Sequence, residues 1–336
     1  MSDLEAIFRA VSIRSLHEYE LGGVAFRVPQ FSPAPFGGQF SPFAAGVPAL
    51  VGDLQQRLYE HAYMRALNGK VEDAPPTQST TDYTDALSAA NATRERWDAG
   101  WQVAQIGPNG AVWAQKGAAM QTFAPGRYAT MQGAAPFAGA PINVYLAKES
   151  RVLQPGFYHV FGEVPFDERA QNLTRIYFHI DEPGAPLLIN AITSSLNRFR
   201  VPFRMKTLSF RGVFVRADAA VLFFPKRSFP IIAQLLARIR ASVRDHLRPH
   251  VPLMTKKLFD GIAVAEDPGN GDSFGTSRCR LIAQAIWDAY MRGQQSDEAR
   301  MQELDMQFTR NGLALARPYL RAASADVYVI PMEAAA

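Results

Sequence analysis

Two segments in the second half of the chain alternate so regularly that they leave the backbone little choice. In residues 175–180 (RIYFHI), Arg175, Tyr177 and His179 alternate with Ile176, Phe178 and Ile180; in residues 201–210 (VPFRMKTLSF), Arg204 and Lys206 alternate with Phe203 and Met205. Only an extended strand sends successive side chains to opposite faces, so both are predicted as strands with one polar and one apolar face. Residues 156–163 (GFYHVFGE) and the apolar run 217–224 (ADAAVLFF) read as further strands, with helices predicted over 186–199 and 228–247. This order predicts an α+β fold, a mixed, mainly antiparallel sheet with helices packed on one face.

Residues 246–280 (HLRPHVPLMTKKLFDGIAVAEDPGNGDSFGTSRCR) add a second constraint. A basic, proline-broken turn leads into an apolar strand over 261–265, a glycine-rich acidic loop, and a helix whose first turn carries Arg278 and Arg280. Free N–H groups at a helix start attract anions, and glycine lets a backbone approach a phosphate. Arginine in a first turn opposes the helix dipole unless something negative lies between. Two readings stay open: a bound phosphate or carboxylate, or a surface turn capped by Ser273, Thr276 or Ser277 whose arginines pair with Glu266, Asp267 or Asp272. Helices over 279–292 and 297–323 and a short strand DVYVIPM complete this half.

The first half is poorer in chemistry. Residues 2–14 read as a short amphipathic helix, and the Pro-, Gly- and Phe-rich stretch 28–48 as an extended arm or a partner-binding segment. A helix over 49–67 carries Leu50, Leu54, Leu58 and His61 on one stripe, which makes His61 a core-edge residue. A polar loop (74–84) and a helix (85–98) precede three short runs, WQVAQIG, AVWAQKG and MQTFAPG, that predict a small antiparallel meander. Residues 1–150 are thus assigned to support or peptide recognition, and 151–336 to the α+β domain with its anion site.

Charge is unevenly spread. The chain of 336 residues has a net charge of +4, yet residues 151–257 hold 17 Lys or Arg against 7 Asp or Glu, a net of +10. A basic half suggests an anionic ligand. Cys279, the only cysteine, excludes an internal disulfide and is compatible with a reducing compartment. Its two arginine neighbours favour a thiolate, and a buried helix cysteine is the alternative. No signal peptide and no apolar run of about 18 residues is visible, so a cytoplasmic protein with no membrane span is expected. The glycines lack the spacing of a P-loop, Pro249 breaks the His246/His250 pair that a zinc site would use, and no G-x-S-x-G elbow occurs. The aromatics do not interleave with the basic residues as on a nucleic-acid platform.

If the strands of Arg175–His179 and Arg204–Lys206 are neighbours, their polar faces crowd cations that an anion would neutralise. Arg175, Arg204 and Arg216 suit phosphate oxygens, and Lys206 among them has reason to lose its proton near neutral pH. His179 or Tyr177 is then placed to give a proton to a leaving oxygen. A solvated outer face is the alternative.

The blocks VPFRMKTL, RADAAVLFFPKRSF, LRPHVPLMTKKL and GIAVAEDPGNGDSFGTSRCRLIA, with GFYHVFGE upstream, resemble the HopA (Hrp outer protein A) type III effector family over roughly residues 90–286. Similar proteins lie in bacterial clusters that make ribosomal peptides of the lanthipeptide or thioamitide kind. There the resemblance implies a phosphoserine/phosphothreonine lyase. Its partner is a kinase resembling aminoglycoside phosphotransferases, its substrate a phosphorylated precursor peptide, and its product dehydroalanine or dehydrobutyrine. Such an elimination requires no metal or organic cofactor. On that reading Lys206 is the base, with Lys256 second; His179, assisted by Tyr177, is the acid; Arg175, Arg204, Arg278 and Arg280 hold phosphate, and Asp267 orients one of them. A non-catalytic, effector-like binding protein is the competing reading.

Overall fold

The computed structural model describes residues 3–28, 48–67, 81–167 and 172–331. The expected arm at 28–48 and most of the loop at 74–84 lie outside them. In chain order the elements are α1 (Asp3–Ala10), β1 (Val11–Ser15), β2 (Glu18–Leu21), β3 (Val24–Arg27) and α2 (Ala49–Leu58), which runs into a π-helical turn (Tyr59–Tyr63). Then come α3 (Thr84–Ala90), β4 (Arg96–Ile106), β5 (Val112–Lys116), β6 (Ala119–Phe123), β7 (Tyr128–Thr130), β8 (Pro141–Leu146), β9 (Glu149–Ser150) and β10 (Phe157–Phe161). The remainder is β11 (Leu173–Phe178), α4 (Gly184–Arg198), β12 (Arg204–Leu208), β13 (Ala220–Pro225), α5 (Phe229–Val243), β14 (Lys256–Phe259), β15 (Ile262–Glu266), α6 (Phe274–Met291) and α7 (Asp297–Arg310).

Every strand predicted from alternation enters one seven-stranded sheet, in the order β14-β15-β11-β13-β12-β10-β9, and all its pairings are antiparallel. Register sets the side chains in cross-strand rows. His159, Lys206, Val221, Tyr177 and Ala263 form one row, and Phe161, Arg204, Phe223, Arg175 and Ala265 the next. The opposite face carries Val160, Met205, Leu222, Ile176 and Val264, packed under α4 and α5 in the largest core.

The α+β class and the antiparallel sheet are as expected, but helices lie on both faces. Tyr177, Val221 and Ala265 of the polar face are covered by α2 and α6, in a core shared with α1, β1, β2 and α7. The cores therefore do not divide at residue 150. Residues 3–28 and 48–67 pack with the C-terminal helices, while β4–β8 form a five-stranded sheet with its own small core around Trp101 and Val112. The predicted meander is the β4-β5-β6 part of that sheet.

Several predicted helices are shorter than their patterns. The first stops at Ala10, because Val11 and Ile13 turn inward and pair with β2. The third stops at Ala90, where the Asn91 side chain accepts from the Thr93 N–H (3.0 Å) and donates to the Lys148 carbonyl (3.0 Å). The last stops near Gly312, whose φ of 67° ends a helix without a Cβ penalty. Residues 326–331 form no strand. That segment is anchored instead by the buried Tyr328 hydroxyl, hydrogen-bonded to Thr174 (2.8 Å) and Glu266 (2.9 Å).

Candidate functional site

The site grows from the part of the polar sheet face that α2 and α6 leave uncovered. β12 carries Arg204 and Lys206 there, and β10 sets His159 directly opposite Lys206. β13 lies between β12 and β11, so the two predicted strands are not neighbours; Val221 separates Lys206 from Tyr177 and Phe223 separates Arg204 from Arg175. The same face still gathers them, at strand positions about 10 Å apart. Two unit charges at that distance repel by about 1.7 kcal/mol at an effective dielectric constant near 20. A bound anion reverses the sign of that term for every cation it touches.

Lys206 is the centre of the arrangement. Its Nζ lies 4.3 Å from the Phe157 ring centroid and donates to Gln154 Oε1 at 3.2 Å; among the described residues it makes no ion pair. Burial pushes its ammonium group down to about 8; Arg175 and Arg216 add to the fall, and the Asp218 carboxylate opposes it. His159 is lowered further, to about 4, by burial and then by Lys206 and Arg204. Its Nε2 is buried without a hydrogen-bond partner among the described residues.

Two carboxylates fix two of the arginines. Asp218, 7% exposed, accepts from Arg216 Nε (2.6 Å) and from its terminal nitrogen (2.8 Å), and from the Tyr59 hydroxyl (3.3 Å). Burial alone would raise the Asp218 carboxyl, but the Arg216 guanidinium outweighs it and holds the group below its ordinary value. Asp267 accepts from Arg175 Nε at 3.0 Å and from the same arginine's terminal nitrogen, while its other oxygen takes the Gly269 N–H at 2.9 Å. The expected orienting role of Asp267 thus has a geometric counterpart on Arg175. Arg204 lies 5.5 Å and 5.0 Å from the Phe161 and Phe166 ring centroids.

The π-helical turn supplies what the 3.6-residue pattern hid. It stacks Tyr59 on Tyr63 at 5.1 Å and sets Tyr63 edge-on to Tyr177. Gly275 accommodates both rings, because a Cβ there would stand 2.5 Å from Tyr63 and 2.7 Å from Tyr59. The Tyr177 hydroxyl is near Tyr63 and Arg175, yet no contact among the described residues meets hydrogen-bond geometry for this buried oxygen. Burial raises its pKa, so it stays protonated at neutral pH.

Other expected residues stand elsewhere. His179 lies beyond the end of β11, two residues past Tyr177, with Nδ1 3.0 Å from the His250 carbonyl and a pKa lowered by burial. Lys256 pairs with Val264, hence projects from the opposite face of the sheet, and is bound to Asp326 at 2.7 Å. Arg278, 2% exposed, spends its guanidinium on the carbonyls of Pro318 (2.7 Å) and Leu320 (3.0 Å), bracing the C-terminal segment. Burial pushes it down to about 10. Arg280 pairs with Asp272 at 3.0 Å. Ser273 caps α6 by accepting from Thr276 N–H at 3.0 Å. The loop at 267–273 therefore follows the capped-turn reading, with its acids taken by Arg175 and Arg280. Cys279 is buried and its thiol pushed up. His159, Asp218, Gln154, Tyr59 and Tyr63 complete the site and were not among the sequence candidates. Among the described residues no group of three His, Cys, Asp or Glu side chains is placed to hold a metal, and no helix is long and apolar enough to cross a membrane.

The fold is α+β, with Arg175, Arg204 and Lys206 on one face of its antiparallel sheet. A family model for the HopA1 effector protein family matches residues 148–320, the stretch that builds this face. The chain belongs to that family. Two solved structures of effector proteins resemble it. One, from Pseudomonas syringae pv. tomato strain DC3000, has 24% identity and a TM-score of 0.39, over 50% of this chain and 63% of that one. The other, from Pseudomonas syringae pv. syringae strain 61, has 19% identity and a TM-score of 0.38, over 49% and 63%. This chain thus spans about 63% of the effectors' length. No curated protein matches it.

Proposed function

We propose that this protein is a phosphoserine/phosphothreonine lyase that eliminates phosphate from a precursor peptide phosphorylated by an aminoglycoside-phosphotransferase-like kinase in the cytoplasm. The observation that carries the reading is Lys206: a half-buried lysine with a pKa near 8, without an ion pair among the described residues, on one sheet face with Arg175 and Arg204 and within electrostatic reach of Arg216 in the turn before β13. Neutral Lys206 removes the Cα proton. The electron pair forms the Cα=Cβ double bond, the Cβ–O bond breaks, and phosphate departs with that bond's electrons onto the arginines. Electrostatic stabilisation of the leaving group is the largest contribution, and the positioned base adds about 10²–10⁴-fold.

His159, rather than His179, faces the leaving oxygen in this scheme. Burial, then Lys206 and Arg204, hold its pKa well below neutrality, so it acts as a neutral imidazole whose buried Nε2, without a partner among the described residues, is placed to donate a hydrogen bond to that oxygen. Cross-strand partners stand about 5 Å apart at Cβ, within reach of one substrate residue. Asp267 positions Arg175, and Asp218 positions Arg216. The test is thiol trapping: a phosphothreonine peptide incubated with the protein and a small thiol gains a thioether only where a dehydro residue has formed. Adducts with wild type and none with Lys206→Ala support the proposal; equal adducts with both remove Lys206 as base. Tight binding of the phosphopeptide with no adduct at all leaves the effector-like binding protein.

A further inference from the structure

The described residues contain a recess beside the cationic face. It lies between the five-stranded sheet and the β9–β10 edge of the central sheet, has a volume of about 340 Å³, and is lined by Phe123, Leu146, Phe161 and Phe166, with Arg127 and Arg204 among its walls. That volume is in the range of ligand sites. Arg204 belongs to the recess and to the cationic face alike, two residues from Lys206 on β12. Arg127 lies 5.0 Å from the Tyr145 ring centroid and makes no ion pair among the described residues. Leu153 also lines the recess, is 58% exposed, and precedes the Gln154 that holds Lys206. An apolar floor beside a cation without a carboxylate partner matches a ligand with an apolar and an acidic side chain. An extended peptide advances about 3.3 Å per residue, so a residue two or three positions from one held at Lys206 reaches past Arg204 into the recess.

We infer that this recess is a substrate subsite for an unphosphorylated stretch of the peptide beside the phosphorylated residue, seating an apolar side chain on the aromatic floor and an acidic one against Arg127. The inference rests on the lyase reading for the nature of its peptide. Two fluorescein-labelled phosphothreonine peptides test it, one flanked by Leu and Glu and one by Gly and Ser, with binding read by anisotropy and turnover by phosphate release. The Leu/Glu peptide binds at least about tenfold more tightly, as expected from burying one large apolar side chain. Leu153→Asp and Arg127→Ala, with unchanged urea unfolding curves, each reduce that preference by raising KM at constant kcat, and leave the Gly/Ser peptide unaffected. Folded variants that keep the full preference overturn the subsite. Elimination from both peptides with equal KM overturns the subsite and leaves the lyase standing. Recess-dependent binding with no elimination keeps the subsite and removes the lyase. A wild-type dimer that Leu153→Asp dissociates makes the recess a self-interface and also overturns the inference.

Discussion

Asp218→Asn separates the electrostatics of the site from its shape. The substitution keeps the side chain's outline but removes the charge that compensates buried Arg216, bound at 2.6 and 2.8 Å. Breaking a buried ion pair by removing one partner costs about 3–5 kcal/mol. Asparagine retains one acceptor oxygen for Arg216, so the low end applies, about 3 kcal/mol. Urea unfolding followed by tryptophan fluorescence measures this loss directly. A second readout reports on Lys206: the Asp218 charge holds its pKa up, so losing it moves the inflection of the rate against pH below about 8. The acid limb changes too. Because the folded Asp218 carboxyl lies below its unfolded value, its stabilisation is complete above about pH 4 and is lost as pH falls through the folded value. The variant lacks that part of the acid sensitivity. A loss under about 1 kcal/mol together with an unmoved inflection would refute the reasoning.

Elimination by the wild type rises with pH through about 8 and then levels off, as Lys206 loses its proton; Lys206→Ala lowers kcat about 10²–10⁴-fold, whereas Lys256→Ala, on the opposite face, leaves it unchanged. Phosphate release from one peptide at several pH values checks all three. Arg278→Met removes the donors to the Pro318 and Leu320 carbonyls and costs about 1–3 kcal/mol for the acceptors left unpaired, read by urea unfolding. KM is unchanged, since this arginine holds no phosphate. Gly275→Ala forces a methyl to within 2.5 Å of the Tyr63 ring and destabilises by about 1–3 kcal/mol in the same assay.

The cationic face was legible because period-two alternation is a property of the residues themselves. Arg175 had to share a face with Tyr177, and Arg204 with Lys206, once they were strands. Strand order was not legible, since nothing local in 201–210 or 175–180 says that β13 inserts between them. The glycine-rich loop left two readings open for a related reason: the identity of a cation's partner depends on long-range packing, and only the fold brings Pro318 and Leu320 to Arg278. His159 was within reach. In GFYHVFGE the same alternation puts Phe157, His159 and Phe161 on one face, opposite Tyr158 and Val160. β14 carried a signal too, because Asp260–Gly261 with φ +70° at the glycine is a hairpin turn between KKLF and IAVAE. The π-helical turn had no such signal, and by adding a residue it took Tyr59 and Tyr63 out of the helical stripe.

Whether phosphate leaves by elimination is measured directly by intact-mass spectrometry of a phosphothreonine peptide incubated with the protein, with and without the proposed kinase. The account predicts a mass decrease of one phosphoric acid per site, absent with Lys206→Ala. A decrease of one metaphosphate unit, which restores threonine, would mean hydrolysis and contradict it.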